Sequence, residues 1–139
     1  MTRNERRSPL IDHVSIAVRD LKAAARFYEP VLATLGFTRL RDWPASIGYG
    51  KKYPEFWLNE RKDLSAFGVD NGAHNGAHVA LRVREAAAVD AFYAAALAGG
   101  GSSDGAPGFR PEYNASYYAA FIRDPDCNHI EAVTFVEAK

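Results

Sequence analysis

The sequence repeats itself once. His13-Val14-Ser15-Ile16-Ala17-Val18-Arg19-Asp20 lies over His78-Val79-Ala80-Leu81-Arg82-Val83-Arg84-Glu85 at an offset of 65 positions, and the register continues without a gap to Gly36 and Gly101. Between positions 13 and 36, ten of 24 residues are identical to their counterparts: His13, Val14, Val18, Arg19, Ala23, Phe27, Tyr28, Leu32, Ala33 and Gly36. An alanine-rich chain matches itself at some alanines by composition alone, but His-Val, Phe-Tyr and Gly in one register do not arise that way. A fixed internal period means that one supersecondary unit has been used twice. In a chain of 139 residues, two such units are each too small for a generous core and must share one.

Each copy has the same local grammar. Residues 11–18 are short and β-branched, which suits a strand. Asp20 stands where a helix N-cap is wanted. Apolar positions 21, 24, 28, 31, 32 and 35 then recur at helical spacing, and Gly36 offers the positive φ that ends such a helix. Pro30 removes a backbone hydrogen bond, so a kink or break is expected near Glu29. The second copy has Ala95 there, and its helix is expected to run straight over 85–98 into Gly99-Gly100-Gly101. Short strands follow, at 38–41, 46–50 and 55–59 in the first copy and at 101–103, 117–123 and 129–136 in the second. The fold class is therefore α+β: two tandem βαβββ modules related by pseudo-twofold symmetry, forming a cup-shaped, barrel-like sheet around one pocket. The expected organisation is a flexible tail at 1–9, a first module at 10–72 and a second at 73–139, in a single structural domain, with 71–76 as the linker.

A sheet of this kind has one face covered by its helix and one left bare. Alternation along the strands sends Val14, Ile16 and Val18 to the helix, and His13, Ser15 and Ala17 into the cup. In the second copy His78, Ala80 and Arg82 point inward. The repeat thus aims two histidines at one cavity. Asp124-Pro125-Asp126 is a turn signal, and the strand after it sends Ile130 and Ala132 to the helices and Glu131 into the cup. A buried carboxylate needs a cation or a hydrogen-bond donor. His13, His78 and Glu131 together have the composition of a two-histidine, one-carboxylate metal site. Tyr49, Tyr53, Trp57, Tyr113, Tyr117 and Tyr118 crowd the expected cup strands and loops and together suggest a pocket for a flat or apolar ligand, with Tyr49, Trp57, Tyr118 and Arg82 as its expected lining.

Charge and composition exclude other classes. Lys+Arg and Asp+Glu are 17 each, so nothing favours nucleic acid or an anionic membrane as partner. No apolar run approaches the roughly 18 residues of a bilayer span, and the N-terminal residues lack the apolar core of a secretory signal. The single cysteine, Cys127, rules out an internal disulfide framework. A cytoplasmic location is the resulting expectation. The loop at 105–111 has turn residues but not the lysine and hydroxyl of a phosphate loop.

From Ile11 to Val136 the chain resembles the vicinal-oxygen-chelate superfamily, which includes glyoxalase I, extradiol dioxygenases and the fosfomycin and bleomycin resistance proteins. The resemblance is carried by residues 12–20 with Arg26-Phe27-Tyr28, by 78–83, and by 124–131. It implies that His13, His78 and Glu131 bind a divalent ion (Fe, Mn, Ni or Zn) which chelates two adjacent oxygens of a small-molecule substrate, and that the protein is a homodimer. Glyoxalase I enzymes add a glutamate ligand on the last strand of the first module. Here Trp57 stands opposite Glu131, with Glu55 two residues earlier, so a dioxygenase, lyase or thiol transferase fits better than a glyoxalase. The alternatives are a metal-free protein that binds and sequesters a small molecule, and an interaction module with a vestigial pocket.

Overall fold

The computed structural model describes residues 10–63 and 76–136. The tail at 1–9, most of the linker and the boundary between residues 72 and 73 lie outside them. The first module runs β1 (Val14–Val18), α1 (Leu21–Ala33), β2 (Thr38–Trp43), β3 (Ser46–Gly50) and β4 (Phe56–Glu60). The second runs β5 (His78–Arg82), α2 (Ala86–Ala98), β6 (Ser102–Phe109), β7 (Tyr117–Arg123) and β8 (His129–Phe135). The sheets are ordered β1-β4-β3-β2 and β5-β8-β7-β6, with the first two strands of each parallel and the rest antiparallel. This is the expected pair of βαβββ modules. The two sheets remain separate rather than closing into a barrel.

Helix α1 follows its sequence closely. The Asp20 carboxylate accepts from the Ala23 amide at 3.0 Å, and Gly36 has φ +82°. All six apolar positions at helical spacing are buried. Pro30 does not break the helix, which continues to Ala33. The bond lost is to the carbonyl of Arg26, and both residues lie on the exposed side, where water can satisfy it.

Two strands differ from expectation. β1 begins at Val14 rather than residue 11, so His13 precedes the ladder, whereas His78 is paired within it, opposite His129. β6 reaches Phe109 and takes in five of the seven residues of the expected loop. Its pairing with β7 shifts at Gly105 and again before Gly108. As an edge strand with shifted register it tolerates Pro107, and such residues look like loop in a sequence.

The modules meet through their helices and along one polar seam. Tyr28 on α1 donates to Asp124 at 2.5 Å, Asn128 Nδ2 donates to the Ala17 carbonyl at 2.9 Å, and Arg19 Nε donates to Asp126 at 3.0 Å. Phe27 packs where only glycine leaves room: a Cβ on Gly101 would lie 2.9 Å from its ring and 2.8 Å from the Arg123 carbonyl. The faces away from the helices are open to solvent, with Ser15, Ala80 and Arg82 exposed.

Candidate functional site

The second module's open face follows from strand register. β5, β8 and β7 place His78 beside His129, Ala80 beside Glu131, and Glu131 in turn beside Phe121. Alternation then puts Tyr117, two pairs further along, on the same face as Phe121 and Glu131. Glu131 is 3% exposed in a strand whose neighbours Ile130 and Ala132 belong to the hydrophobic core. Its two oxygens are both met: His78 Nε2 stands 2.9 Å from Oε1, and the Tyr117 hydroxyl donates to Oε2. Burial, and then the bond to Glu131, push the Tyr117 hydroxyl up to about 12. Arg82 lies over the Phe135 ring at 4.6 Å from its centroid, a cation–π contact.

His13 is held otherwise. Its Nδ1 is 2.6 Å from Asp12 Oδ1, an oxygen that also accepts from the Tyr53 hydroxyl at 2.8 Å. These two bonds lower the Asp12 pKa below the usual carboxylate value. His13 and His78 line one cleft of about 350 Å³ between the edges of the two sheets, together with Asp12 and Glu55. Both imidazoles are about half exposed, at 53% and 55%. The structure therefore brings His78 and Glu131 into contact and sets His13 across the same cleft. Among the described residues no three His, Cys, Asp or Glu side chains are gathered closely enough to hold one metal ion. In this conformation the three expected ligands offer two adjacent donors and a third turned toward Asp12.

The expected pocket lining is half corrected. Trp57 is partly buried and packs at a 39° tilt against Trp43, with ring centroids 4.9 Å apart. It pairs with Ser15 as Glu131 pairs with Ala80. Ser15 and Ala80 are counterparts in the repeat, so Trp57 does stand at the position equivalent to Glu131. Tyr49 and Tyr118, in contrast, face the helices: Tyr49 is fully buried and donates to Glu29 of α1, and Tyr118 donates to Asp90 of α2. Of the adjacent pair Tyr117-Tyr118 only one can face the cup, and it is Tyr117. Counting by twos from Glu131 across the β7–β8 register selects Tyr117 from the aromatic set. His129 is a further open-face residue, its Nδ1 2.7 Å from Asp104.

Known proteins bear on this geometry. The family model for the glyoxalase/bleomycin resistance protein/dioxygenase superfamily matches residues 10–132. A glyoxalase/bleomycin resistance protein from Albidiferax ferrireducens T118 is 30% identical and superposes with a TM-score of 0.75 over 91% of this chain and 99% of its own. A family enzyme from Burkholderia phytofirmans PsJN (21% identical, TM-score 0.66, covering 91% and 98%) shares the fold. So does a lactoylglutathione lyase from Agrobacterium tumefaciens (20%, TM-score 0.62, covering 91% and 93%). A comparison with curated proteins found no match. No helix among the described residues is long and apolar enough to cross a membrane. With the repeat, the module topology and the family match in agreement, the chain belongs to the glyoxalase/bleomycin resistance protein/dioxygenase superfamily.

Proposed function

We propose that this protein is a divalent-metal-dependent enzyme acting on a small molecule with two adjacent oxygens, working as a homodimer in the cytoplasm, with His78, Glu131 and His13 as the ligands. The observation that carries the reading is Glu131: a carboxylate 3% exposed among core residues, with an imidazole at 2.9 Å. Such a group is costly to bury and needs a purpose. Bound there, an ion would supply charge stabilisation for adjacent oxygens. The chain's own contributions are to fix the Glu131 side chain through the Tyr117 hydroxyl and to hold the His78 ring beside it. His13 would bring its Nε2, the Nδ1 being held by Asp12 as metal-bound imidazoles are held by a carboxylate. Reaction type is narrowed by Trp57: an indole accepts no proton, so the base that a glyoxalase needs beside its metal is missing at that position.

A second reading, a metal-free protein that binds and sequesters a small molecule, has its own support. His78 and Tyr117 already satisfy Glu131 without an ion. Elemental analysis of untagged protein separates the two. One ion per chain after incubation with Fe, Mn, Ni or Zn supports the enzyme. Metal in fewer than about one chain in ten supports the binding protein.

A further inference from the structure

We propose that the pocket on the second module's open face takes the carboxylate of a planar aromatic acid, and that Arg110 binds it. The proposal deepens the reading above, resting on it only for which face does the work.

The pocket, about 320 Å³, is lined by His78, Asp104, Arg110, Tyr113, Phe121 and His129 among others. Arg110 is fixed in it. Its Nη2 donates to the Ala106 carbonyl at 2.7 Å, its Nη1 donates to that of Phe109 at 3.4 Å, and the guanidinium lies over Phe121 at 5.2 Å from the centroid. Two glycines make the seat. A Cβ on Gly105 would lie 3.1 Å from Nη2 and 3.0 Å from the Phe121 ring, and one on Gly108 would lie 3.2 Å from Nη1. A guanidinium has five N–H donors, of which two are used here. No carboxylate of the described residues pairs with it. Asp104, the acid in the pocket, is committed to His129 at 2.7 Å and Arg123 at 3.6 Å. What remains is a preorganised, half-buried cation with spare donors and no anion.

The walls say which anion. Phe121 meets His78 edge-on at 6.2 Å, and Tyr113 stands edge-on to Tyr117 at 5.2 Å. These are surfaces for a ring, and the volume suits one or two fused rings. A single uncommitted guanidinium matches a singly charged carboxylate, which it can grip through two parallel bonds; a phosphate dianion would call for a second cation.

The test titrates 2-naphthoate and its neutral analogue 2-naphthamide into the full chain, with chelator present so that metal plays no part. Wild type is expected to bind the acid at least about tenfold tighter than the amide. Arg110→Gln should bring the acid down to the amide's level and leave the amide unchanged. Gly108→Ala, which crowds Nη1 without removing it, should weaken the acid by a smaller factor. Inorganic phosphate at matched concentration should not displace naphthoate. Equal affinity for acid and amide, an unaltered acid affinity in Arg110→Gln, displacement by phosphate, or no binding of either compound would each overturn the proposal. Thermal melts of both variants check that they fold. Metal content is measured separately: Arg110→Gln should match wild type there, so failure of the metal reading and failure of this one are told apart.

Discussion

The two modules share a plan and divide the labour. The first supplies the packing: α1 buries seven side chains, from Leu21 to Leu32, whereas α2, its counterpart, buries only Val89, Phe92 and Ala96. The second carries a buried carboxylate with polar partners on its open face. Where the first module packs Trp57 against Trp43 over Gly48, the second has Glu131 between His78 and Tyr117. The turns before β4 and β8 diverge in the same way. In the first module Gly50 allows a chain reversal so tight that a Cβ there would lie 1.9 Å from the Tyr53 carbonyl. In the second the Asp124 carboxylate gathers the amides of Asp126 and Asn128 at 2.9 and 2.8 Å. A duplicated scaffold needs its fold twice and its site once, so one copy was free to become structural.

The sharpest way to break this comparison is to exchange emphasis between the equivalent positions. Glu131→Ala should weaken metal binding about 100-fold or more, whereas Trp57→Phe should leave it unchanged, as measured by equilibrium dialysis against Zn or Mn. Equal losses would mean that the modules are not divided as described. In the same preparations, the methylglyoxal–glutathione hemithioacetal should not be isomerised above background with Ni, Co or Zn. Robust turnover would point to Glu55 as a base and return chemistry to the first module.

An effect of similar size lies in the turn. Burial, opposed by bonds from Tyr28 and Asn128, pushes the Asp124 carboxyl up to about 6, from 3.8. A raised pKa means that the folded state favours the proton. The contribution is therefore fully present below about pH 4 and is lost as pH rises through 6, a change of about 3 kcal/mol. Asp124→Asn has no such proton to lose, so urea denaturation across pH 4–7 should show a flatter profile for the variant. Parallel profiles would show that the carboxylate stays ionised throughout. Smaller is the seam. Tyr28→Phe removes one donor from a buried acceptor and should cost about 1–2 kcal/mol. Its counterpart Tyr93→Phe should change stability by less than about 0.5 kcal/mol, since Tyr93 makes no hydrogen bond among the described residues.

The fold was legible because the repeat and the helical spacing are redundant signals: Leu21, Tyr28 and Leu35 agree with Asp20 and Gly36 on where α1 lies. The equivalence of Trp57 and Glu131 was legible too, since register follows once strands are aligned. Side-chain direction in the later strands was not. Tyr49 and Tyr118 sit in runs where both neighbours are apolar or small, so alternation does not choose a face, and packing against Glu29 and Asp90 decided it. The Asp12–His13 contact depends on where β1 starts, an end effect invisible to periodicity. Arg110 escaped notice because the glycines that seat it look like loop residues.

Among the described residues the polar seam is fastened at one end. Its lock sets Asp124, Asp126 and Asn128 against Tyr28, Arg19 and the Ala17 carbonyl. Carried through the repeat, the same places hold Gly50, Lys52 and Pro54 against Tyr93, Arg84 and Arg82. A glycine offers no side-chain acceptor, two cations do not pair, and a proline has no side-chain amide to give. At that end the structure has a cleft of about 440 Å³, lined by Lys51 and by residues 82–85. The helices and one shared apolar core carry the rest of the joint, so at the far corner the described residues of the two modules are held by packing without a polar latch.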